Sequence, residues 1–368
     1  MNSALAVPLT GILVASACAL LGNFLILRRM AMMSDAISHA ILPGLVAGYV
    51  LAQGPTLLAG FIGASLAAIA TVTAVEAIQR TRLVDGGAAI GIVFPAMFAL
   101  GTVLVTRQFS DVHLDADAIL FGSIEFVAFD TLTIAGRDLG PQSVWVMSLL
   151  CVINLLFIGV FYKELKLTTF DPGLAAALGF SPVIVHYALM LVLSITSVGA
   201  FTAVGAVLVV ALVIVPAATA YLLTDRLAMM IPLSVAIGAI SALAGYHAAI
   251  SLDASISGAM VTATGALFGL ALLFSPTQGL VVRAWRARTH RATIASEMLV
   301  VHLLNHEAAT DRDEENSVEH LSEGLRWSPT RTDQAIAGAS RRGWIVRANG
   351  HLELTDPGRH TARQVIAR

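Results

Sequence analysis

Asp35 and His39 stand four residues apart in the stretch "MMSDAISHAILPG", residues 32–44. Residues four apart on a helix share a face. One carboxylate oxygen and one imidazole nitrogen then converge on one point, a donor pair that suits a hard-to-borderline divalent cation. Pro43 follows one turn later. A helical proline cannot donate to the carbonyl four residues back and pushes it aside; here that is the carbonyl of His39. Ser38 and Gly44 keep the surroundings small enough for close helix packing. Ser38, Pro43 and Gly44 are therefore candidate pathway and helix-kink positions beside the candidate metal ligands Asp35 and His39. Two ligands do not complete a coordination shell, so a second copy or a second subunit has to supply the rest. The plain alternative is an Asp35 that caps a helix at a membrane surface beside a hydrogen-bonded His39.

Such a pair matters most inside a membrane, where ionisable groups are expensive and mark ion or substrate paths. Composition puts this chain there. Its 368 residues are 57% hydrophobic and 12% charged, with a mean hydropathy of +0.81, whereas about a quarter of the residues of a soluble domain are charged. Up to residue 280 the charges fall in short clusters, separated by apolar runs of about 20 residues, the length that crosses a hydrocarbon core as a helix. The candidate spans are 6–27, 36–52, 57–78, 87–106, 143–162, 183–200, 203–223, 227–248 and 254–274. That makes nine, or eight if the short break at 200–203 is no break. The first run has no basic stretch before it and no small-residue cleavage site after it, so it reads as a retained helix. The two cysteines, Cys18 and Cys151, lie inside apolar runs and read as small buried hydrophobes.

Basic residues follow the odd-numbered spans: Arg28 and Arg29, Arg80 and Arg82, Lys163 and Lys166, Arg226, then Arg283, Arg286, Arg288 and Arg291. The other loops carry little beyond Arg107 and Arg137. The positive-inside rule then places the N-terminus outside and the C-terminus in the cytoplasm. Two polar loops are too long for turns. Residues 107–142, containing "DVHLDADAILFG", are expected outside. Residues 163–182, "KELKLTTFDPGLAAALGFSP", are expected inside. In the inner loop Asp171-Pro172 reads as an N-cap and first helical residue. Gly179 then reads as the stop of a short helix that lies under the membrane, where it docks a partner or merely connects two spans.

The expected architecture is an all-α polytopic membrane domain over 1–280, a basic juxtamembrane linker over 281–291 and a small α+β domain over 292–368. In the last part, "ASEMLVVHLLNH" has helical spacing, Asp311 to Glu315 reads as a solvated acidic loop, and Ser328-Pro329 opens a further helix. "IVRANGHLELT" reads as two strands around Asn349-Gly350, and the chain is expected to end soon after them. Helices followed by a hairpin make a winged helix-turn-helix. His302, His306 and Glu307 have ligand spacing but read as an exposed polar helix face. Nothing resembles GxxxxGK[ST], and the only lysines, Lys163 and Lys166, do not follow glycine. The chain is therefore not expected to hydrolyse ATP, and energy must come from elsewhere. No HExxH is present either, which removes an intramembrane zinc protease.

"MSDAISHAILPG" resembles the hallmark segment of the membrane permeases of zinc, manganese and iron ABC importers, with Ser34 where that family often has glycine. The likeness continues through "LFG" (120–122), "FYKELKLTTFDPGLAAALG" (161–179), "VGAVLVVALVIVPAATAYLL" (204–223) and "SISGAMV" (255–261). The resemblance implies a permease dimer in the bacterial inner membrane, with no permanently bound cofactor. Asp35 and His39 would line the metal path at the dimer interface. An ATPase subunit that carries the ATP would dock on the loop 163–180, with Glu164, Leu167, Phe170, Asp171, Ala176 and Gly179 as the contact candidates. An extracytoplasmic binding protein would deliver the metal, with manganese favoured and zinc or iron open. The last part resembles the winged helix of iron-dependent repressors in "HLSEGLRWSPTRTDQAIAGASRRGW" and "LELTDPG". Its basic residues are interleaved with acids, so a protein-docking or regulatory role is expected over nucleic-acid binding. The rival readings are an ion-coupled secondary metal transporter, for which no inverted repeat shows, and a membrane-tethered metal-responsive regulator, carried by the last part alone.

Overall fold

The computed structural model describes residues 3–54, 56–108, 124–134, 137–276, 278–307, 321, 325, 327–348 and 351–367. The chain divides into two compact units, Met1–Gln278 and Gly279–Arg368.

In the first unit the apolar runs fold as helices: α1 (Ser3–Leu27), α2 (Met32–Leu51), α3 (Leu57–Arg80) and α4 (Gly86–Gln108). A 3-10 turn (Ile124–Phe126) and an antiparallel hairpin, β1 (Thr131–Ile134) with β2 (Arg137–Pro141), precede α5 (Gln142–Val160). Then come α6 (Tyr162–Phe170), α7 (Pro172–Ala177), α8 (Pro182–Val204), α9 (Ala206–Leu223), α10 (Leu227–Leu252) and α11 (Ile256–Phe274). Nine of these helices are long and apolar enough to cross a membrane, among the described residues. The eight-span alternative fails at one residue. Gly205, with φ +82°, ends α8 and starts α9, so the break lies beyond the expected 200–203. Glycine meets that backbone at no steric cost.

The spans differ in enclosure. The α1 span is 72% buried against 22% for α5 and α11, so α1 forms the axis of the bundle. The outer face of α5 carries exposed Leu149, Val152, Leu155 and Leu156, as a lipid-facing helix should. Lipid is as apolar as leucine, so helix association rests on close packing and on buried polar ties. Both occur here. Asn23 of α1 donates to Ser234 Oγ of α10 at 2.8 Å. Asn154 of α5 donates to the Ala17 carbonyl of α1 at 3.0 Å and accepts from Thr196 of α8 at 3.1 Å.

The second unit begins with α12 (Leu280–Asn305), which runs unbroken through residues 281–291. The basic stretch expected as a linker is thus the first half of a helix. It contains no glycine or proline, and arginine and alanine are good helix formers. α13 (Pro329–Arg341) follows, closed by Gly343 at φ +69°. Next, β3 (Ile345–Ala348) pairs antiparallel with β4 (His351–Leu354). The expected turn at Asn349-Gly350 and the acidic loop 311–315 lie outside the described residues. α14 (Asp356–Ile366) follows the hairpin, capped by Thr355 accepting from the Gly358 N–H at 3.2 Å. A core of Leu299, Leu303, Trp327, Ala335, Ile345 and Leu352 joins these elements.

Candidate functional site

α2 begins at Met32 with no side-chain cap, so Asp35 lies in its first turn without capping it. A carboxylate there is favoured by the helix dipole. Asp35 Oδ1 is 3.5 Å from His39 Nε2, and the two side chains are 34% and 22% exposed. Both donors therefore stay partly open on one face. The His39 ring rests on Phe94 of α4 (centroids 4.7 Å apart) and edge-on to Phe98 (5.7 Å). These aromatic walls fix the imidazole without using its nitrogens. The described residues contain no group of three or more His, Cys, Asp or Glu side chains placed to hold a metal. One copy of the chain thus offers two donors, and a full shell needs donors from elsewhere.

The other expected positions have distinct places. Ser38 is buried and its hydroxyl donates to the Ser34 carbonyl at 2.9 Å, so it is committed within its own helix. Pro43 does not end α2; its Cδ lies where a methyl group on Gly101 of α4 would come within 2.8 Å. A methyl group on Gly44 would collide with the Gly63 carbonyl of α3, and one on Gly48 with the Ala59 carbonyl. Glycine therefore lets α2 and α3 meet backbone to backbone, which holds Asp35 and His39 in a fixed register against the bundle.

In the loop 163–180, Asp171 Oδ1 accepts from the Leu174 N–H at 2.9 Å and Pro172 opens α7, as the sequence indicated. Gly179 takes φ +87°. The N–H groups of Gly179 and Phe180 return to the carbonyls of Ala176 and Ala175, a closed helix end. Phe170, Leu174, Ala176, Leu178 and Phe180 are exposed there, and Leu167 is half-buried. Glu164 instead turns inward, with its Oε2 buried and without a hydrogen-bond partner among the described residues. All of "DVHLDADAILFG" (111–122), with the "LFG" segment at 120–122, lies outside the described residues.

Residues 1–275 match the ABC 3 transport family. The chain belongs to the ABC 3 transport family. It is 44% identical to the zinc transport system membrane protein TroD of Treponema pallidum, over 96% of each chain. It is also 44% identical to the manganese transport system membrane protein MntD of Bacillus subtilis, over 75% of this chain and 94% of that one. PsaBC from Streptococcus pneumoniae, solved in complex with a Fab, superposes with a TM-score of 0.64 at 31% identity, covering 76% of this chain and 94% of that one. The match to TroD includes the second unit. As an ABC 3 permease, the chain is a multi-pass membrane subunit and not itself an enzyme; the ATPase is a separate subunit.

Sequence reasoning missed a second polar cluster in this permease. Glu76 of α3 lies 2.5 Å from His186 Nε2 and accepts from the Tyr187 hydroxyl at 2.6 Å. Arg28, just past α1, donates to Thr169 (3.1 Å) and Thr168 (2.9 Å) of α6 and approaches His186 Nδ1 at 3.4 Å. Burial lowers the Arg28 pKa to about 10, which leaves it charged at neutral pH. Glu76 and His186 are single ionisable residues inside apolar spans, and that signal was present in the sequence. In the second unit, Glu307 is taken by Arg359 at 2.7 Å, and His302 stacks on His306 at 4.6 Å between ring centroids. Glu307 therefore does not complete a ligand set with them.

Proposed function

We propose that this chain is the permease subunit of an ATP-driven ABC importer that moves a divalent transition metal into the cytoplasm, with manganese favoured. The observation that carries this reading is the open Asp35–His39 pair on α2 of an ABC 3 family member. Relatives named for zinc and for manganese transport support the cargo class. Carboxylate oxygen with imidazole nitrogen and no thiolate leans toward manganese, with zinc or iron as alternatives. A second permease subunit, identical or homologous, would bring two more donors to the path. The end of the bundle with α6, α7, Arg80 and Arg82 would face the cytoplasm under the positive-inside rule. There the exposed apolar side chains of α6 and α7 would receive the ATPase, and an extracytoplasmic binding protein would supply metal at the other end. The second unit would be a cytoplasmic winged helix with a docking or regulatory role, not a nucleic-acid reader. Its described strands amount to β3 and β4 alone, so this part of the reading rests on the sequence likeness.

The test is reconstitution. The permease is expressed with a candidate ABC ATPase subunit, purified and placed in vesicles with a candidate binding protein. The expected outcome is uptake of radioactive manganese that requires ATP. ATP-independent uptake driven by an ion gradient would overturn the reading in favour of a secondary transporter.

A further inference from the structure

The Glu76–His186 pair repeats the residue types of Asp35–His39, yet its surroundings remove it as a second metal station. An arginine only donates, so its contact at 3.4 Å engages the lone pair of His186 Nδ1, while Nε2 lies 2.5 Å from the Glu76 carboxylate. The other carboxylate oxygen accepts from Tyr187 and lies 3.6 Å from Arg80. Both carboxylate oxygens and both ring nitrogens thus have close neighbours, and two guanidinium groups, Arg28 and Arg80, stand beside them and disfavour a cation.

The cluster instead links elements. Arg28 ends α1 and holds α6 through two threonine hydroxyls. The same guanidinium reaches α8 through His186. α8 reaches α3 through Glu76 by two adjacent side chains, His186 and Tyr187. α3 meets α2 backbone to backbone at Gly63–Gly44 and Ala59–Gly48, a contact with no slack. A continuous physical path thus runs from α6, beside the exposed face of α7, to the helix that carries Asp35 and His39. Charge-assisted contacts in a half-buried site are strong and directional, so a shift of α6 is passed on instead of absorbed.

We propose that Arg28, Glu76 and His186 are positioning residues that form the joint coupling the ATPase-docking helices to the metal-bearing helix α2. This rests on the reading of α6 and α7 as the dock, so the experiment separates the two. The complete importer, with its ATPase, is reconstituted in vesicles, and three quantities are measured: ATPase copurification, ATP hydrolysis, and manganese taken up per ATP. Thr168→Val with Thr169→Val removes the hydroxyls that Arg28 holds while keeping side-chain shape. Glu76→Gln removes the charge at the other end. Both are expected to retain the ATPase and hydrolyse ATP, while uptake per ATP falls by about tenfold, within the usual range of coupling between two sites. Arg28→Lys keeps the charge but not the fork that spans two threonines, and is expected to be intermediate. Unchanged uptake per ATP in the threonine pair and in Glu76→Gln would overturn the joint. Loss of the ATPase from those variants would overturn it too, because the cluster would then be part of the dock. Ala176→Arg addresses the dock alone: an ATPase that still copurifies and couples normally with it would remove the dock reading, whatever the joint variants do.

Discussion

The molecule holds two carboxylate–imidazole pairs with opposite settings. On α2, Asp35 and His39 lie 3.5 Å apart, partly exposed, with two phenyl rings beside His39. Between α3 and α8, Glu76 and His186 lie 2.5 Å apart, less exposed, and are surrounded by Tyr187, Arg28 and Arg80. Residue type is the same in both. Unused donor capacity is not. An acid and an imidazole with free lone pairs can replace part of the water that a cation sheds in a membrane; the same groups crowded by a tyrosine hydroxyl and two guanidinium groups are better placed to hold helices together. Under the proposed function the first pair would bind a cation transiently, as a pathway must release what it holds.

The largest effect that tests this contrast is on α2. Asp35→Asn keeps the shape and removes the charge, and His39→Ala removes the nitrogen. Each is expected to leave ATPase binding intact and to lower manganese uptake by at least about tenfold, the cost seen even for groups beyond the ligands of metal sites. Glu76→Gln sharpens the comparison from the other side. It should leave manganese binding to the detergent-solubilised complex unchanged while coupling fails. Equal loss of manganese binding in Asp35→Asn and Glu76→Gln would erase the distinction between the two pairs.

Next in size is the packing that fixes α2. Gly44→Ala places a methyl group against the Gly63 carbonyl, and overpacking of this kind costs about 1–3 kcal/mol. The expected result is a lower unfolding midpoint in detergent and slower uptake with the ligands themselves untouched. Asn154→Leu removes the tie from α5 to Ala17 of α1 and Thr196 of α8. Buried polar contacts between membrane helices are worth about 0.6–2 kcal/mol, so the loss should be smaller and confined to stability. A normal unfolding midpoint in Gly44→Ala would show that α2 and α3 have room to separate, and with it the rigid link from α3 to the metal pair would fall.

How much of this was legible in the sequence depends on range. The nine spans follow from run length, and the Asp171-Pro172 start and Gly179 stop of α7 follow from capping chemistry, all local properties. The Asp35–His39 pair was legible for the same reason: its spacing is four residues on one helix. The second cluster joins residues 76, 186 and 28 across the chain, and no spacing rule relates them. Glu76 and His186 were visible only as isolated polar residues in apolar runs. The basic stretch 281–291 misled because charge density suggested a linker, whereas helix propensity with no glycine or proline decided its structure. The hairpin β1–β2 was passed over inside a loop judged by polarity, although the threonine-rich alternation of Thr131–Ile134 favours a strand.

The smallest expected effect separates two adjacent arginines that the sequence cannot tell apart. Arg28 and Arg29 look equivalent as positive-inside charges. In the structure Arg29 is exposed and takes φ +58°, the left-handed conformation that closes α1. Its N–H returns to the Ile26 carbonyl at 3.0 Å, and that of Met30 to the Leu25 carbonyl at 2.9 Å. Arg28, half-buried, makes all the side-chain contacts to α6 and α8. A left-handed residue with a Cβ costs about 1–2 kcal/mol, and glycine relieves that at an entropic cost of about 0.5–1 kcal/mol. Arg29→Gly should therefore raise stability by about 0.5 kcal/mol and leave uptake per ATP at the level of the unaltered protein. Arg28→Gln should do the reverse, uncoupling uptake from hydrolysis, although both changes remove one positive charge from the same turn. If uptake falls equally in the two, net charge at this end of the bundle sets the phenotype and the contacts of Arg28 do not; opposite results would mean that the backbone of one arginine and the guanidinium of its neighbour divide the work of ending α1 and holding α6.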